Sequence, residues 1–344
     1  MKHLASCLML SCAASSSLAS ATLPVQAEAY GSVRLGFDVI DAGTQDDGGN
    51  GRDFLSRVGV KATLPLQPGL TASGLLEYGT RAENGVDFKQ NDAPGLRQAY
   101  IGLKGNWGEV RIGSQTMVWH SFVRGAYFSD ANDTLRQGTI RDDDLLQYFY
   151  RRQSFRFGAA LQAEGQDGDS IDQYQLAAEY SQPQWKAQLA WAKDQRGEYT
   201  GKLWGARVWL MPSDNWTLSA YRHQADRDYD FYTGSTTGNV RLRDASIEGS
   251  VNGVPGCSNE ERSSTGVYLS YRSGIHQWHG RYALDECDVA GEVNSKKAEY
   301  VAHLHPQARL WLAYEVLDND ATRRPATSSG DSMSEIQLGL RLDF

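Results

Sequence analysis

The chain ends with the stretch "SEIQLGLRLDF", Ser334 to Phe344, in which apolar side chains alternate with polar ones. The apolar positions are Ile336, Leu338, Leu340, Leu342 and Phe344, and the residues between them are polar or glycine. A period of two places the two sets of side chains on opposite faces of a β-strand. The final segment is therefore predicted to be a strand with one apolar face and one face suited to water.

The same alternation recurs along the whole chain, in about sixteen segments of roughly ten residues each. A helical period does not compete with this pattern over any long stretch. The predicted strands span residues 29–40, 52–64, 70–80, 96–104, 107–114, 145–152, 154–164, 171–181, 184–194, 200–211, 215–226, 263–273, 276–286, 296–305, 307–318 and 334–344.

The connections between these segments alternate between short and long. The short ones contain turn-forming residues, as in "LQPG" at 66–69 and "MPSD" at 211–214. The long ones are polar and span residues 41–51, 81–95, 115–144, 227–262 and 319–333. Tight turns at one end and long loops at the other are typical of an outer-membrane barrel. We therefore predict an all-β fold, a transmembrane antiparallel β-barrel in which every backbone group is paired.

A soluble β-sandwich also alternates, but its loops show no such bias between its two ends. Aromatic residues near the predicted strand ends favour the membrane barrel, because such residues form girdles at the two water–lipid boundaries. These residues are Trp107, Trp185, Trp216, Trp278, Tyr282, Tyr300 and Tyr314.

The first residues of the 344-residue chain predict export. A basic start at Lys2, an apolar run over residues 4–14 and small residues up to Ala27 are typical of a secretory signal peptide. We expect a signal peptide at 1–27 and a barrel domain at 28–344. An even number of cysteines in the exported part predicts one disulfide bond between Cys257 and Cys287, with two unpaired thiols as the alternative.

Two internal stretches and the last residue carry a resemblance to the general Gram-negative porin family. "SRVGVKATLPL" from Ser56 resembles the family's second strand, and "RQAYIGLKGNWGEVRIGS" from Arg97 resembles its fourth and fifth strands. Phe344 resembles the terminal aromatic that the barrel assembly machinery recognises. The resemblance implies a sixteen-stranded homotrimer in the outer-membrane lipid, a third loop (115–144) folded into the pore, and passive diffusion of small hydrophilic solutes and ions. We expect no cofactor and no metal, and the formal charge of −8 argues against nucleic acid as a partner.

The resemblance also implies a pore constriction between a basic wall and an acidic loop. Arg57 and Arg97 match the family's basic positions in its motifs, whereas Arg34 and Lys61 join the wall because alternation places them on the polar face. Asp130 and Asp133 lie near the family's acidic loop tip. The family's usual Pro-Glu-Phe-Gly-Gly tip is replaced here by "RGAYFSDANDT" at 124–134, so the resemblance leaves the ion preference open. The acidic net charge favours cations, whereas the four basic residues near the constriction favour anions.

Two other functions stay open at this point. A porin that prefers sugars or small organic acids would line its track with aromatic side chains, for which Trp119, Tyr127 and Phe128 are candidates. An outer-membrane hydrolase barrel would need a nucleophilic serine with a histidine partner, and the chain has no Gly-x-Ser-x-Gly motif. We therefore predict a channel and not an enzyme.

Overall fold

The computed structural model describes residues 25–41, 48–79, 95–125, 127–129, 137–138, 140–163, 171–195, 200–229, 260–289, 291–319 and 332–344. Seventeen strand segments form a single sheet. They are β1 (Gln26–Asp41), β2 (Gly48–Asp53), β3 (Arg57–Gln67), β4 (Leu70–Gly79), β5 (Leu96–Gly105), β6 (Gly108–Thr116), β7 (Arg141–Arg152), β8 (Phe155–Gln162), β9 (Gln173–Gln182), β10 (Trp185–Asp194), β11 (Gly201–Ser213), β12 (Trp216–Ala225), β13 (Arg262–Ser273), β14 (His276–Cys287), β15 (Gly291–His305), β16 (Ala308–Asn319) and β17 (Ser332–Asp343). Within the described residues, no helix has the length and apolar character to span a membrane.

Each strand pairs antiparallel with its neighbours in the chain, and the last strand returns to the first. β1 pairs with β17 from Ser32↔Asp343 to Asp41↔Ser334, which closes the sheet. β2 and β3 both pair with β1, one with each half of it, so they are two parts of one strand. The molecule is thus a closed antiparallel barrel of sixteen strands, which confirms the predicted fold.

The second strand is not continuous, contrary to the prediction of one strand over 52–64. The break falls between β2 and β3, where Leu55 has a φ of +70°. The Ser56 amide donates to Asp53 Oδ1 over 2.5 Å, and the Phe54 amide donates to the Arg34 carbonyl over 2.8 Å. The Phe54 ring is buried against Trp311 with ring centroids 5.3 Å apart. The interruption is therefore held by local hydrogen bonds and by the burial of one aromatic ring.

Other boundaries differ by a few residues at the ends next to the long connections. β7 begins at Arg141 where the prediction began at residue 145, and β15 begins at Gly291 where the prediction began at residue 296. The predicted connection 41–51 contains the start of β2 at Gly48. β1 begins at Gln26, so cleavage after Ala27 would remove only its first two residues.

The outer face of the barrel is apolar and exposed. On β1, Val33, Leu35, Phe37 and Val39 point outward, and Phe37 is 66% exposed. Aromatic side chains contact one another along the rim that carries the short turns, as in the pair Trp216–Tyr271 with centroids 4.6 Å apart. An apolar band with an aromatic rim is suited to the hydrocarbon core and its boundary.

Candidate functional site

The inner face of the barrel is polar, and it carries the residues that the sequence singles out. On β1, Arg34 and Asp38 are each 3% exposed and alternate with the outward apolar residues. Arg207 of β11 and Arg281 of β14 are buried on the same inner side, as alternation predicts. A charged inner wall around a closed barrel is a candidate path for water and solutes.

Two of the predicted basic residues meet at the Glu77 carboxylate, which is absent from the predicted site. Arg57 Nε lies 3.5 Å from Glu77 Oε2, and Arg97 Nε lies 3.1 Å from Glu77 Oε1. The Tyr30 hydroxyl also donates to Glu77 Oε2 over 2.8 Å. Glu77 thus joins β1, β3, β4 and β5 on the inner wall. Its place between outward Leu76 and Tyr78 was the signal that could have identified it.

Arg97 reaches the inner wall through a β-bulge. Strict alternation from the outward Ile101 would place Arg97 on the lipid face. Between β4 and β5 the register instead shifts, because Glu77 pairs with Gln98 and the next residue, Tyr78, pairs with Leu96. Both Arg97 and Gln98 therefore bond to Glu77. A bulge re-aims a side chain in this way by adding one residue to one strand.

Arg34 and Lys61 lie in different parts of the inner wall. Arg34 is near Arg57, Arg309 and Arg341, close enough for their charges to repel. Lys61 lies four positions beyond Arg57 on β3, roughly 13 Å further along the strand. Its ammonium group sits over the Tyr30 ring, 4.3 Å from the centroid. Arg34, Arg57 and Arg97 are therefore brought together, and Lys61 stands apart toward the short-turn end.

Residues 117–125 and 127–129, which we name the inner segment, pack against the inner face of several strands. A single π-helical turn, His120–Arg124, forms its centre. Trp119 and Phe122 are almost fully buried in an apolar cluster with strand residues such as Ala192 and Leu203. This apolar core lies on the inner side of the sheet and fixes the first half of the segment.

Polar and aromatic contacts hold the second half of the inner segment. Arg207 donates to the Gly125 carbonyl over 2.8 Å, and its guanidinium lies 4.1 Å from the Tyr127 ring centroid. The Tyr127 ring stacks on Tyr268 at 4.2 Å, and its hydroxyl is 2.8 Å from Ser219 Oγ. The inner segment therefore contacts β11, β12 and β13, far along the sheet from β6, which it follows.

Glu299 of β15 holds the last described residue of the inner segment. The Ser129 amide donates to Glu299 Oε2 over 3.0 Å and the Ser129 hydroxyl to Oε1 over 3.3 Å. His279 Nε2 lies 3.7 Å from the same carboxylate. Glu299 is absent from the predicted site, and its inward position on a predicted strand was the one signal in the sequence that pointed to it. Asp130 and Asp133, the predicted acidic tip, lie outside the described residues.

The aromatic residues considered for a solute track are packed rather than open. Trp119 is 1% exposed, Tyr127 8% and Phe128 6%. The Trp119 indole donates to the Gln137 carbonyl, and Phe128 lies between Tyr268, Arg281 and Lys297. These rings hold the inner segment in place and offer no open aromatic surface.

Further inward charges form compact ion pairs on β13 to β16. Arg281 Nη2 lies 2.8 Å and Lys297 Nζ 3.4 Å from the Glu315 carboxylate. Arg262 Nε lies 2.8 Å from Asp285 Oδ2. Each of these two carboxylates therefore has a cationic partner in contact and is not an isolated negative charge on the wall.

Two other predicted residues lie at opposite ends of the barrel. Cys287 ends β14 and takes part in a disulfide bond, whereas its predicted partner Cys257 lies outside the described residues. Phe344 pairs with Gly31 by two backbone hydrogen bonds, from Gly31 N at 2.8 Å and from Phe344 N at 3.1 Å. The terminal residue therefore extends the pairing that closes the barrel.

Comparison with known proteins agrees with this architecture. A monosaccharide porin from Halomonas sp is 31% identical over 121 residues, so the match spans 32% of this chain and about a third of that relative. The major outer membrane protein P.IB of Neisseria gonorrhoeae is 24% identical over 277 residues, 73% of this chain and 77% of that protein. An anion-selective porin from Comamonas acidovorans has the same fold, with a TM-score of 0.68 and 17% identity over 93% of this chain and 100% of its own.

The family model described as Gram-negative porin matches residues 5–322, which is most of the chain. This match agrees with the closed barrel of sixteen strands, the apolar outer face and the charged inner wall. The chain therefore belongs to the Gram-negative porin family and is an outer-membrane protein.

Proposed function

We propose that the barrel is a water-filled channel through which small hydrophilic solutes and ions diffuse passively across the outer membrane. The charged inner wall of a closed barrel carries this proposal. Arg57, Arg97 and Glu77 lie on that wall, where charge is tolerated because the lumen is wet. On the lipid face a mid-membrane arginine would cost about 2–4 kcal/mol.

The proposed constriction lies between the basic wall and the tip of the third loop. The basic side consists of Arg34, Arg57 and Arg97, with Lys61 further along the wall toward the short turns, and the acidic side consists of Asp130 and Asp133. The contacts of Tyr127 and Ser129 with β12, β13 and β15 support this placement, because they carry the chain across the inner face toward the tip. Opposed rows of charge across a narrow water path create a transverse field that selects solutes by size, charge and polarity.

The proposed assembly is a homotrimer embedded in outer-membrane lipid. The signal peptide at 1–27 would direct export, and the barrel assembly machinery would recognise the chain through Phe344. A disulfide between Cys257 and Cys287 would tie two neighbouring outer loops. We expect no nucleic acid, cofactor or metal to take part in this function.

Conductance of the refolded protein in planar lipid bilayers tests the proposal. We expect large, ohmic current steps that close in groups of three, one for each channel of a trimer. Absence of conductance under every salt and voltage condition would contradict a diffusion channel. Hydrolysis of lipid or peptide substrates by the same preparation would instead support an enzymatic barrel.

A further inference from the structure

Three inward arginines stand directly beside one another on the strands that close the barrel. Arg309 of β16 pairs with Arg341 of β17, and Arg341 pairs with Arg34 of β1. We name these three residues the cross-strand arginine row. Like charges directly opposite one another destabilise a pair of strands. The row therefore lowers the stability of the folded barrel. Because its three side chains face the lumen, we expect them to have a role in the lumen.

Few carboxylates neutralise this row. Arg341 Nε contacts both oxygens of Asp343, at 2.8 and 2.9 Å, and Arg309 Nη2 lies 3.7 Å from the same carboxylate. Arg34 Nε donates to Ser32 Oγ over 3.0 Å, and Arg34 has no ion pair among the described residues. One carboxylate, Asp343, thus contacts two of the three arginines of the row.

Arg57 adds a fourth positive charge beside the row. It is within electrostatic range of Arg34 and Arg341, and it shares Glu77 with Arg97. The side chains of Arg57, Arg309 and Arg341 are 26%, 28% and 17% exposed, so their guanidinium groups reach the water of the lumen. The positive charge is accessible to a passing ion.

Several described carboxylates elsewhere on the inner wall have cationic partners of their own. Glu315 is held by Arg281 and Lys297, and Asp285 is held by Arg262. Asp38 and Glu335 share contact with Arg52, at 2.7 and 2.9 Å. These carboxylates each contact a cation, and charges farther than a Debye length, about 8 Å, from an ion beside the arginine row are largely screened.

We propose that the cross-strand arginine row, together with Arg57, makes the channel selective for small anions. This inference rests on the proposed channel function and names the solute class that the channel prefers. Carboxylate and phosphate oxygens accept hydrogen bonds from guanidinium groups in fork-like pairs. Because opposed Cα atoms are about 4.5–5.5 Å apart, one anion with several oxygens can contact two neighbouring arginines of the row.

The reversal potential across a KCl gradient in planar bilayers tests this selectivity. We expect a wild-type potential of the sign that indicates chloride preference. In the double variant R309Q/R341Q, the chloride-to-potassium permeability ratio should fall about fivefold or more, as expected for unit charges some 4 Å from an ion in water. The double variant R309K/R341K keeps the charge and should keep the preference for chloride.

Arg222 and Lys202 provide a matched control, because both are exposed on the outer face of β12 and β11. R222Q/K202Q removes the same charge and should leave the reversal potential unchanged. If R309Q/R341Q fails to fold, the single variants R309Q and R341Q give the same readout with a smaller shift.

A conducting wild type that prefers potassium would overturn the inference, and so would a conducting R309Q/R341Q with an unchanged permeability ratio. Either result would leave the proposed channel function in place. Absence of any conductance would overturn the channel function and this inference with it.

Discussion

Trp311 shows how single residues shape the inner wall. Its indole is fully buried on the inner face of β16 and lies across Gly339, its partner residue on β17. A Cβ at residue 339 would overlap the indole ring. Gly339 therefore leaves the space in which Trp311 lies flat against the sheet, and Phe54 packs edge-on against the same ring.

We expect Gly339→Ala to destabilise the barrel by about 1–3 kcal/mol, because the added methyl group must displace a buried ring. The measurement is the denaturant midpoint for unfolding from lipid vesicles. Gly280→Ala is the matched control, since a Cβ at that strand glycine meets no heavy atom within 4 Å. Equal midpoints for the two variants would show that Trp311 moves aside at no cost.

At the scale of residues, alternation of polar and apolar side chains does not identify every residue of the site. The basic wall could be predicted in part, because Arg34 and Arg57 follow the period of two. Arg97 reaches the wall only through the bulge opposite Glu77, and a bulge depends on the pairing of two strands rather than on either sequence alone. Alternation alone could have placed Glu77 and Glu299 on the inner face. Their roles could not be predicted, because they depend on partners distant in sequence.

At the scale of elements, the inner segment is held by side chains from strands that follow it in the chain. Tyr127 is central to this attachment, because it stacks on Tyr268, lies under the Arg207 guanidinium and reaches Ser219. A stacked aromatic pair and a cation–π contact each contribute about 1 kcal/mol. Without them the second half of the segment should leave the wall more often.

Tyr127→Ala should therefore increase tryptic cleavage after Arg124 by about tenfold or more in the folded protein, because cleavage follows the population of the open segment. Tyr127→Phe keeps both ring contacts and loses one hydrogen bond, so we expect a much smaller increase. Mass spectrometry of the released fragments distinguishes cleavage after Arg124 from cleavage in the outer loops. Equal rates for wild type and Tyr127→Ala would mean that the apolar cluster around Trp119 holds the segment alone.

The strands themselves were predictable because half-buried strands repeat one simple pattern. Each predicted strand corresponds to an observed one, and the clearest error is the break at Leu55. That break depends on the Arg34 backbone and on burial of Phe54 against Trp311, which are contacts across three strands. The path of the inner segment could not be predicted for the same reason, since it depends on contacts with β11, β12, β13 and β15.

At the scale of the whole molecule, closure joins the two ends of the barrel domain. Ten residue pairs link β1 and β17, from Ser32↔Asp343 to Asp41↔Ser334. Phe344 adds two backbone hydrogen bonds to Gly31, and its ring lies against that glycine. The contribution of Phe344 to closure is thus small beside that of the strand pair, although the resemblance to porins implies that it directs assembly in the cell.

Deleting Phe344 should therefore separate folding from assembly. Refolding into lipid vesicles should proceed with little loss, because the ten pairs between β1 and β17 remain. The amount of trimer in the outer membrane of cells should fall several-fold, because the proposed signal for the barrel assembly machinery is lost. Phe344→Tyr keeps an aromatic terminus and should assemble nearly as wild type does. A parallel loss in vesicles and in cells would assign Phe344 to barrel closure, and normal trimer in cells would remove it from both roles.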